Sequence, residues 1–211
     1  LDTPHDNDMN NIKNLLFDLG GVIIDINRDR CVAAYTRAGM RDAEDMLGVY
    51  KQSGIFLLLE EGKVTPEEFR AEMRKHFDCP VSDDTIDDCF FQFLLGIPVE
   101  LLRALERLAK QYHIYLLSNT NTIMFNSVIR EFFRADGHDL EYYAEDMVLS
   151  YEAHCCKPDQ RIFQMCIDKF GIRPEETLFF DDGQANCDAA QLLGFRTHCV
   201  KPGTEFYDYF K

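Results

Sequence analysis

The sequence predicts an α/β fold in which a parallel sheet lies between two helical layers, with a helical segment inserted after the first strand. Three observations predict it. Four short apolar runs, at 15–17, 114–117, 147–149 and 178–180, have the length of buried strands and lead into polar residues. Each is followed by a stretch with helical spacing, and repeated strand–helix units call for parallel strands joined by right-handed crossovers. The rhythm breaks between residues 26 and 96, which read almost wholly as helix. At 211 residues and 46% hydrophobic content, the chain suffices for one core domain and a modest insertion.

Residues 1–11 are polar, with Asp2, Asp6 and Asp8 and no apolar block, so they read as a flexible N-terminus rather than a signal peptide. The first strand leads into Asp18, and Gly20 and Gly21 then allow a sharp turn and close approach to a ligand. Within the insertion, 31–35 leads to Gly39 as a stop, and 43–50 and 55–59 are two further short stretches. Thr65 opens a helix with Pro66 at its first position and Glu68 three residues on, a reciprocal capping pattern. That helix carries Phe69, Met73 and Phe77 on one stripe. Another opens near Ser82 and is expected to run through Phe90 and Phe91 to Leu95. Gly96 and Pro98 on one side and residues 25–28 on the other are candidate hinges. The expected division is a core of 12–25 and 97–211 and a helical insert of 26–96.

Beyond the insert, Leu101, Leu102, Leu105 and Leu108 form one stripe of a helix over 99–111, followed by the second core strand. His113 reads as a strand-edge residue rather than a catalyst. Residues 124–138 are helix-like, with Phe125, Phe132 and Phe133 facing core or insert. Residues 154–159 form a loop that opens a helix with Pro158 in its first turn. Cys155 and Cys156 beside a lysine admit a redox-sensitive reading or incidental occupancy of a tight loop. A helix over 187–193 stops at Gly194, a last strand covers 197–200, and the aromatic tail docks on the core or on a neighbouring subunit.

In a parallel sheet the carboxyl ends of the strands share one edge, where ligands bind. Asp18, Ser118, Lys157, Asp181 and Asp182 are therefore expected to converge. Taken singly, Asp18 reads equally well as a turn residue or cap, Ser118 as a cap, and Lys157 as a surface lysine. As a set they have a chemistry. Carboxylates crowd only at a cost unless a cation neutralises them, and hard oxygen ligands favour magnesium, which keeps waters and shares a phosphate. Phosphoryl transfer is the natural reading: Asp18 attacks phosphorus to give an aspartyl-phosphate, while magnesium, Lys157 and the Ser118 hydroxyl hold the equatorial oxygens. Ser118 and Asn119 also offer backbone N–H groups to phosphate where the next helix begins. Arg28 and Arg30 either reach a phosphate or sugar hydroxyl or pair with Asp25 and Asp29.

A net charge of −15 argues against nucleic acid and disfavours anionic membranes, and no run approaches a membrane span. Attraction of an anionic substrate must then be local, from metal and Lys157. Eight cysteines form no C-x-x-C pair, which argues against zinc and for a reducing, cytoplasmic setting.

Four stretches, Phe-Asp-Leu-Gly-Gly-Val at 17–22, Leu-Leu-Ser-Asn-Thr-Asn at 116–121, Cys-Lys-Pro-Asp-Gln-Arg-Ile-Phe at 156–163 and Phe-Phe-Asp-Asp-Gly-Gln-Ala-Asn at 179–186, resemble the motifs of the haloacid dehalogenase-like (HAD) superfamily, in its order. In look the chain is similar to small bacterial sugar-phosphate phosphatases and to the phosphatase domain of soluble epoxide hydrolase. The resemblance implies a three-layer, Rossmann-like core with the insert as a cap that closes over the site and chooses the substrate. It implies Asp18 as nucleophile and metal ligand, the Gly20 carbonyl as metal ligand, Asp182 as direct magnesium ligand, and Asp181 as a water-mediated partner that orients Lys157. One departure matters. Members with the full first motif carry an acid/base Asp two residues after the nucleophile, where this chain has Gly20. Such a group is worth about two to four orders of magnitude in rate.

The expected function is a magnesium-dependent phosphatase of small phosphorylated metabolites. The rival from another class is a catalytically impaired, phosphate-binding or regulatory protein. A dehalogenase needs no metal, so the Asp181-Asp182 pair speaks against it, and a phosphomutase needs the acid/base group that Gly20 removes. Oligomeric state is open on the sequence alone.

Overall fold

A computed structural model describes residues 11–48 and 54–210. The expected flexible stretch at residues 1–10 and the end of the 43–50 stretch lie outside the described residues.

Five parallel strands form the sheet: β1 Asn14–Phe17, β4 His113–Ser118, β5 Asp146–Leu149, β6 Thr177–Asp181 and β7 Arg196–Cys199, in the order β5-β4-β1-β6-β7. Side chains alternate across a strand, and the apolar residues sort accordingly into two layers. Leu15, Phe17, Ile114, Leu116, Leu178 and Phe180 belong to one apolar cluster, and Leu16, Tyr115, Leu117 and Phe179 to the other. The first layer is covered by α6 Val99–Leu108 and by the inserted helices, the second by α11 Gln160–Phe170 and α12 Gln184–Leu192. Helices on both faces explain why β1 and β6 are buried along their whole length. This is the three-layer, Rossmann-like arrangement that the alternation of strands and helices predicts.

The insert comprises α1 Arg28–Arg37, α2 Ala43–Gly48, α3 Gly54–Glu60, α4 Pro66–Arg74 and α5 Asp83–Phe91. Its capping signals work as the sequence reads. Asn27 and Ser82 accept backbone N–H groups at the starts of α1 and α5, and Thr65 and Glu68 form the full reciprocal box of α4. Phe56, Phe69 and Phe90 meet with ring centroids 5.4–5.5 Å apart, joining α3, α4 and α5. A bidentate Arg70–Asp87 pair ties α4 to α5.

Two expectations are corrected. The helix from Ser82 ends at Phe91 and does not reach Leu95; β3, Leu94–Gly96, instead pairs antiparallel with β2, Asp25–Ile26. The reason is local: Gly96 has φ +124, outside the helical range, and the Phe93 carbonyl accepts from Asn27 N–H at 2.8 Å. Pro158 is not in the first turn of α11, which starts at Gln160 with Asp159 as its capping side chain. The stretch expected to be helix-like over 124–138 is helical without a break from Thr122 to Asp136, as α7 Thr122–Met124, a wider turn over Phe125–Ile129, α8 Arg130–Phe133 and a tight last turn, and ends at left-handed Gly137; α9, Leu140–Tyr143, follows. The tail at Phe206–Phe210 docks on the core, with Phe206 buried against Phe17.

Because Phe69 is fully buried at the centre of the insert, Phe69→Ala is expected to cost about 3–5 kcal/mol, against roughly 1 kcal/mol for Thr65→Ala, which removes only a cap. Urea unfolding midpoints of the two variants measure the difference; equal losses would mean that the aromatic cluster does not hold the insert together.

Candidate active site

Strand register builds the site. Phe17 pairs with Leu116 on one side and Phe180 on the other, so Asp18, immediately after β1, stands level with Asp181 at the end of β6. Ser118 closes β4, and its hydroxyl is buried. Lys157 comes from the loop after β5 and the short helix α10, Ser150–Ala153. Asn119 fixes that loop: its Oδ1 accepts from Lys157 N–H at 2.8 Å, and its Nδ2 donates to the Lys157 carbonyl at 3.0 Å.

The Lys157 ammonium, 1% exposed, lies 2.8 Å from Asp18 Oδ1, 2.7 Å from Asp181 Oδ2 and 3.0 Å from the Leu117 carbonyl. Those three partners match its three donors. Asp181 Oδ1 accepts from Gly183 N–H and from Asn186 Nδ2, both at 2.8 Å, so both of its oxygens are engaged by protein donors. Asp182 lines a cavity of about 600 Å³ together with Asp18, Gly20 and Lys157; Ile26, Glu60 and Phe93 close it from the insert side.

The two glycines of the first loop differ. Gly21 has φ +71, and a Cβ there would collide with the Asp182 carboxylate. Gly20 is not left-handed, and its Cβ would meet only Ile26 Cγ2 at 3.7 Å, an ordinary contact. Glycine at 20 is therefore required by neither backbone nor space.

The electrostatics follow from burial. Desolvation drives the Asp18 carboxyl far above the usual range, to about 7; Lys157 pulls it back, and Asp181 and Asp182 push it further up. For Lys157, burial alone would lower the ammonium's pKa, but Asp18 and Asp181 outweigh it and hold the group above its ordinary value. Three carboxylates, with oxygens within 4.8 Å of one another, face this one ammonium. Fully ionised, they leave two negative charges unmatched. A hard divalent cation fits that deficit in both charge and donor type, and Asp18, Asp182 and the Gly20 carbonyl are the groups on the cavity wall that can hold it.

Asp18, Ser118, Asn119, Lys157, Asp181 and Asp182 thus all meet at one sheet edge. Arg28 and Arg30 do not join them: Arg28 bonds Asp29, Glu44 and the Leu47 carbonyl, and Arg30 bonds Gln92. His113 is at the strand edge beside Glu145. Cys155 and Cys156 are buried. Sequence reasoning misses two residues. Asn186 ends the Asp-Asp-Gly-Gln-Ala-Asn run, and its spacing of five from Asp181 was a usable signal. Glu60 only terminates an apolar run and gave none.

Comparison with known proteins agrees with this geometry. The profile of a family described as haloacid dehalogenase-like hydrolase matches residues 12–194. A D-ribitol-5-phosphate phosphatase of Bacteroides thetaiotaomicron is 36% identical over 195 residues, covering 92% of this chain and 95% of that protein. A HAD family enzyme of the same organism, crystallised with magnesium and inorganic phosphate, superposes with TM-score 0.89 at 40% identity, over 95% of this chain and 100% of the other. A HAD-like family hydrolase of Porphyromonas gingivalis gives TM-score 0.86 at 34% identity, over 94% and 96% of the two chains.

Removing the one ammonium among three carboxylates should be costly. Lys157→Met is expected to destabilise the metal-free protein by about 3–5 kcal/mol, read in urea unfolding, with part of the loss recovered by magnesium chloride. An unchanged midpoint would show that the carboxylates do not depend on it.

Proposed function

The chain belongs to the haloacid dehalogenase-like hydrolase family, and from that premise we propose that it is a magnesium-dependent phosphatase of small sugar or polyol monophosphates acting through an aspartyl-phosphate on Asp18. The observation that carries this reading is the cluster of Asp18, Asp181 and Asp182 around Lys157 on the wall of, and just behind, a cavity large enough for a small metabolite. The relative that acts on D-ribitol 5-phosphate and the neighbour that binds magnesium and phosphate support the substrate class and the cofactor.

In this mechanism an Asp18 oxygen forms a bond to phosphorus as the ester P–O bond breaks, and the leaving alkoxide takes a proton from solvent water. Water then attacks phosphorus, releasing phosphate and restoring Asp18. Lys157 and the main-chain N–H groups after β4 balance charge on the phosphoryl oxygens, with the Ser118 hydroxyl beside them. Asp18, the Gly20 carbonyl and Asp182 would hold magnesium, with Asp181 behind them orienting Lys157. When bound, the ion offsets the negative charge of carboxylates and phosphate alike. Residues 12–25 and 97–211 act as the core domain, and 26–96 as a cap that excludes water during transfer. Ile26, Glu60 and Phe93 on the cavity wall support that division. Free thiols at all eight cysteines suit a reducing, cytoplasmic setting. Among the described residues no helix is long and apolar enough to cross a membrane.

Gly20 favours a second reading, a phosphate-binding protein with feeble turnover, because the loop has room for a side chain and lacks the acid. Hydrolysis of p-nitrophenyl phosphate separates the two. The phosphatase reading expects activity that is lost on chelation and in Asp18→Asn; magnesium-dependent phosphate binding without turnover sinks it.

With no acid at position 20, rates should fall steeply as the leaving group becomes more basic, so aryl phosphates should outrun simple alkyl esters. Gly20→Asp, sterically admissible, should speed alkyl esters by about 10²-fold or more while changing aryl esters little. A flat dependence of kcat on leaving-group pKa in the parent enzyme would contradict this.

A further inference from the structure

The loop after β4 and the segment after β5 are fastened to each other twice, in opposite directions. Asn119, on the first, holds the main chain of Lys157 on the second. Ser150, on the second, holds the first. Register sets Leu149 level with Ser118, so Ser150, the residue that follows β5, comes beside the start of the β4 loop. Its hydroxyl accepts from the Thr120 N–H at 2.9 Å and donates to the Thr120 carbonyl at 2.9 Å. A hydroxyl is the small side chain that can do both, with one donor and two acceptor positions on a single atom. Ser150 is fully buried and Thr120 nearly so, and no solvent is at hand to replace either bond.

The neighbouring contacts have other roles. Asn119 places Lys157, and Asn121 Oδ1 starts α7 by accepting from the Met124 N–H at 3.0 Å. The contact of Ser150 sets the main chain of the loop itself, because it engages the N–H and the carbonyl of one residue. The Ser118 hydroxyl makes only a long 3.5 Å donation to the Asn119 carbonyl among the described residues, which leaves it able to turn toward a ligand.

We propose that Ser150 is a positioning residue for phosphoryl transfer: by gripping both main-chain groups of Thr120 it aims the Ser118 hydroxyl and the main-chain N–H groups after β4 at the phosphoryl oxygens, without touching substrate itself. The inference rests on the phosphatase reading above and adds to it a residue that belongs neither to the acidic cluster nor to the cavity wall. Strand order gives this role a signature. β4 lies on one side of β1 and β6 on the other, so Ser118 flanks Asp18 on one side and Asp182 on the other. Loosening the β4 loop weakens the hold on phosphate, while Asp18, the Gly20 carbonyl and Asp182, the groups that would take the metal, stay where they are.

The test uses Ser150→Ala and Ser150→Cys in the full chain. Alanine removes both hydrogen bonds; cysteine keeps a side chain of similar shape but only a weak donor and acceptor, and it carries the test if the alanine variant does not fold. Three constants are compared with the parent: kcat on p-nitrophenyl phosphate, the inhibition constant of inorganic phosphate at saturating magnesium, and the magnesium affinity measured by calorimetry without phosphate. Urea unfolding gives the stability of the same samples. Both variants are expected to lose about 10- to 100-fold in kcat and to bind inorganic phosphate about tenfold more weakly, with the magnesium affinity within about twofold of the parent. Loss of stability with kcat and phosphate affinity unchanged would make Ser150 a structural residue and overturn the proposal, leaving the phosphatase reading intact. A magnesium affinity that falls in step with that for phosphate would overturn it too. Absence of turnover by the parent enzyme would instead refute the phosphatase reading, and this proposal with it.

Discussion

The ammonium of Lys157, sealed between Asp18 and Asp181, is the contact on which the rest of the site depends. Bringing carboxylates together at the edge of a parallel sheet is easy, since register does it. Keeping them there without a cation costs free energy in proportion to how dry the edge is. Lys157 meets that cost in part, and the excess negative charge that remains is what makes the edge a receptor for a hard cation. The structure therefore couples two properties usually discussed separately, fold stability and metal affinity. The Asn119 amide, gripping Lys157 by both its main-chain groups, fixes where this balance is struck.

The insert contributes a different kind of constraint. Its helices are joined by aromatic contacts and by the Arg70–Asp87 pair, yet their buried residues share one apolar cluster with a face of the sheet. Its entry and exit meet as a two-stranded ribbon at Asp25–Ile26 and Leu94–Gly96. Phe93 at the base of that ribbon and Glu60 at the end of α3 both line the cavity. The acidic cluster and this side of the cavity wall are thus supplied by different parts of the chain, so one can change while the other holds.

How much of this was legible in the sequence depends on the range of the interaction concerned. The polar strand ends were legible because each strand is short and apolar and is followed by a helix, so chain order translates into position at one edge. Capping residues such as Thr65 and Ser82 were legible, because a cap acts within one turn; Asp159 was not, the start of its helix having been placed at Pro158. The ribbon was not: strands of two and three residues have no periodicity to read. The double grip of Asn119 on a residue 38 positions away was invisible, as was the place of Glu60 on the cavity wall, since each exists only across the folded site. Arg28 shows the opposite case, where two local readings were open and a neighbour on α2, Glu44, joined Asp29 in deciding between them.

Gly20 and Gly21 sit side by side under opposite regimes of tolerance. The backbone at 21 is left-handed and abuts Asp182, so drift there is closed to every other residue. The backbone at 20 is ordinary and opens on free space beside Ile26. A lineage carrying this loop can therefore gain or discard a proton-handling side chain by one codon step, without rebuilding the scaffold around it. The neighbouring codon, by contrast, is frozen. In evolutionary terms the loop pairs an adjustable position with an immovable one, and divergence among such enzymes should concentrate at the first.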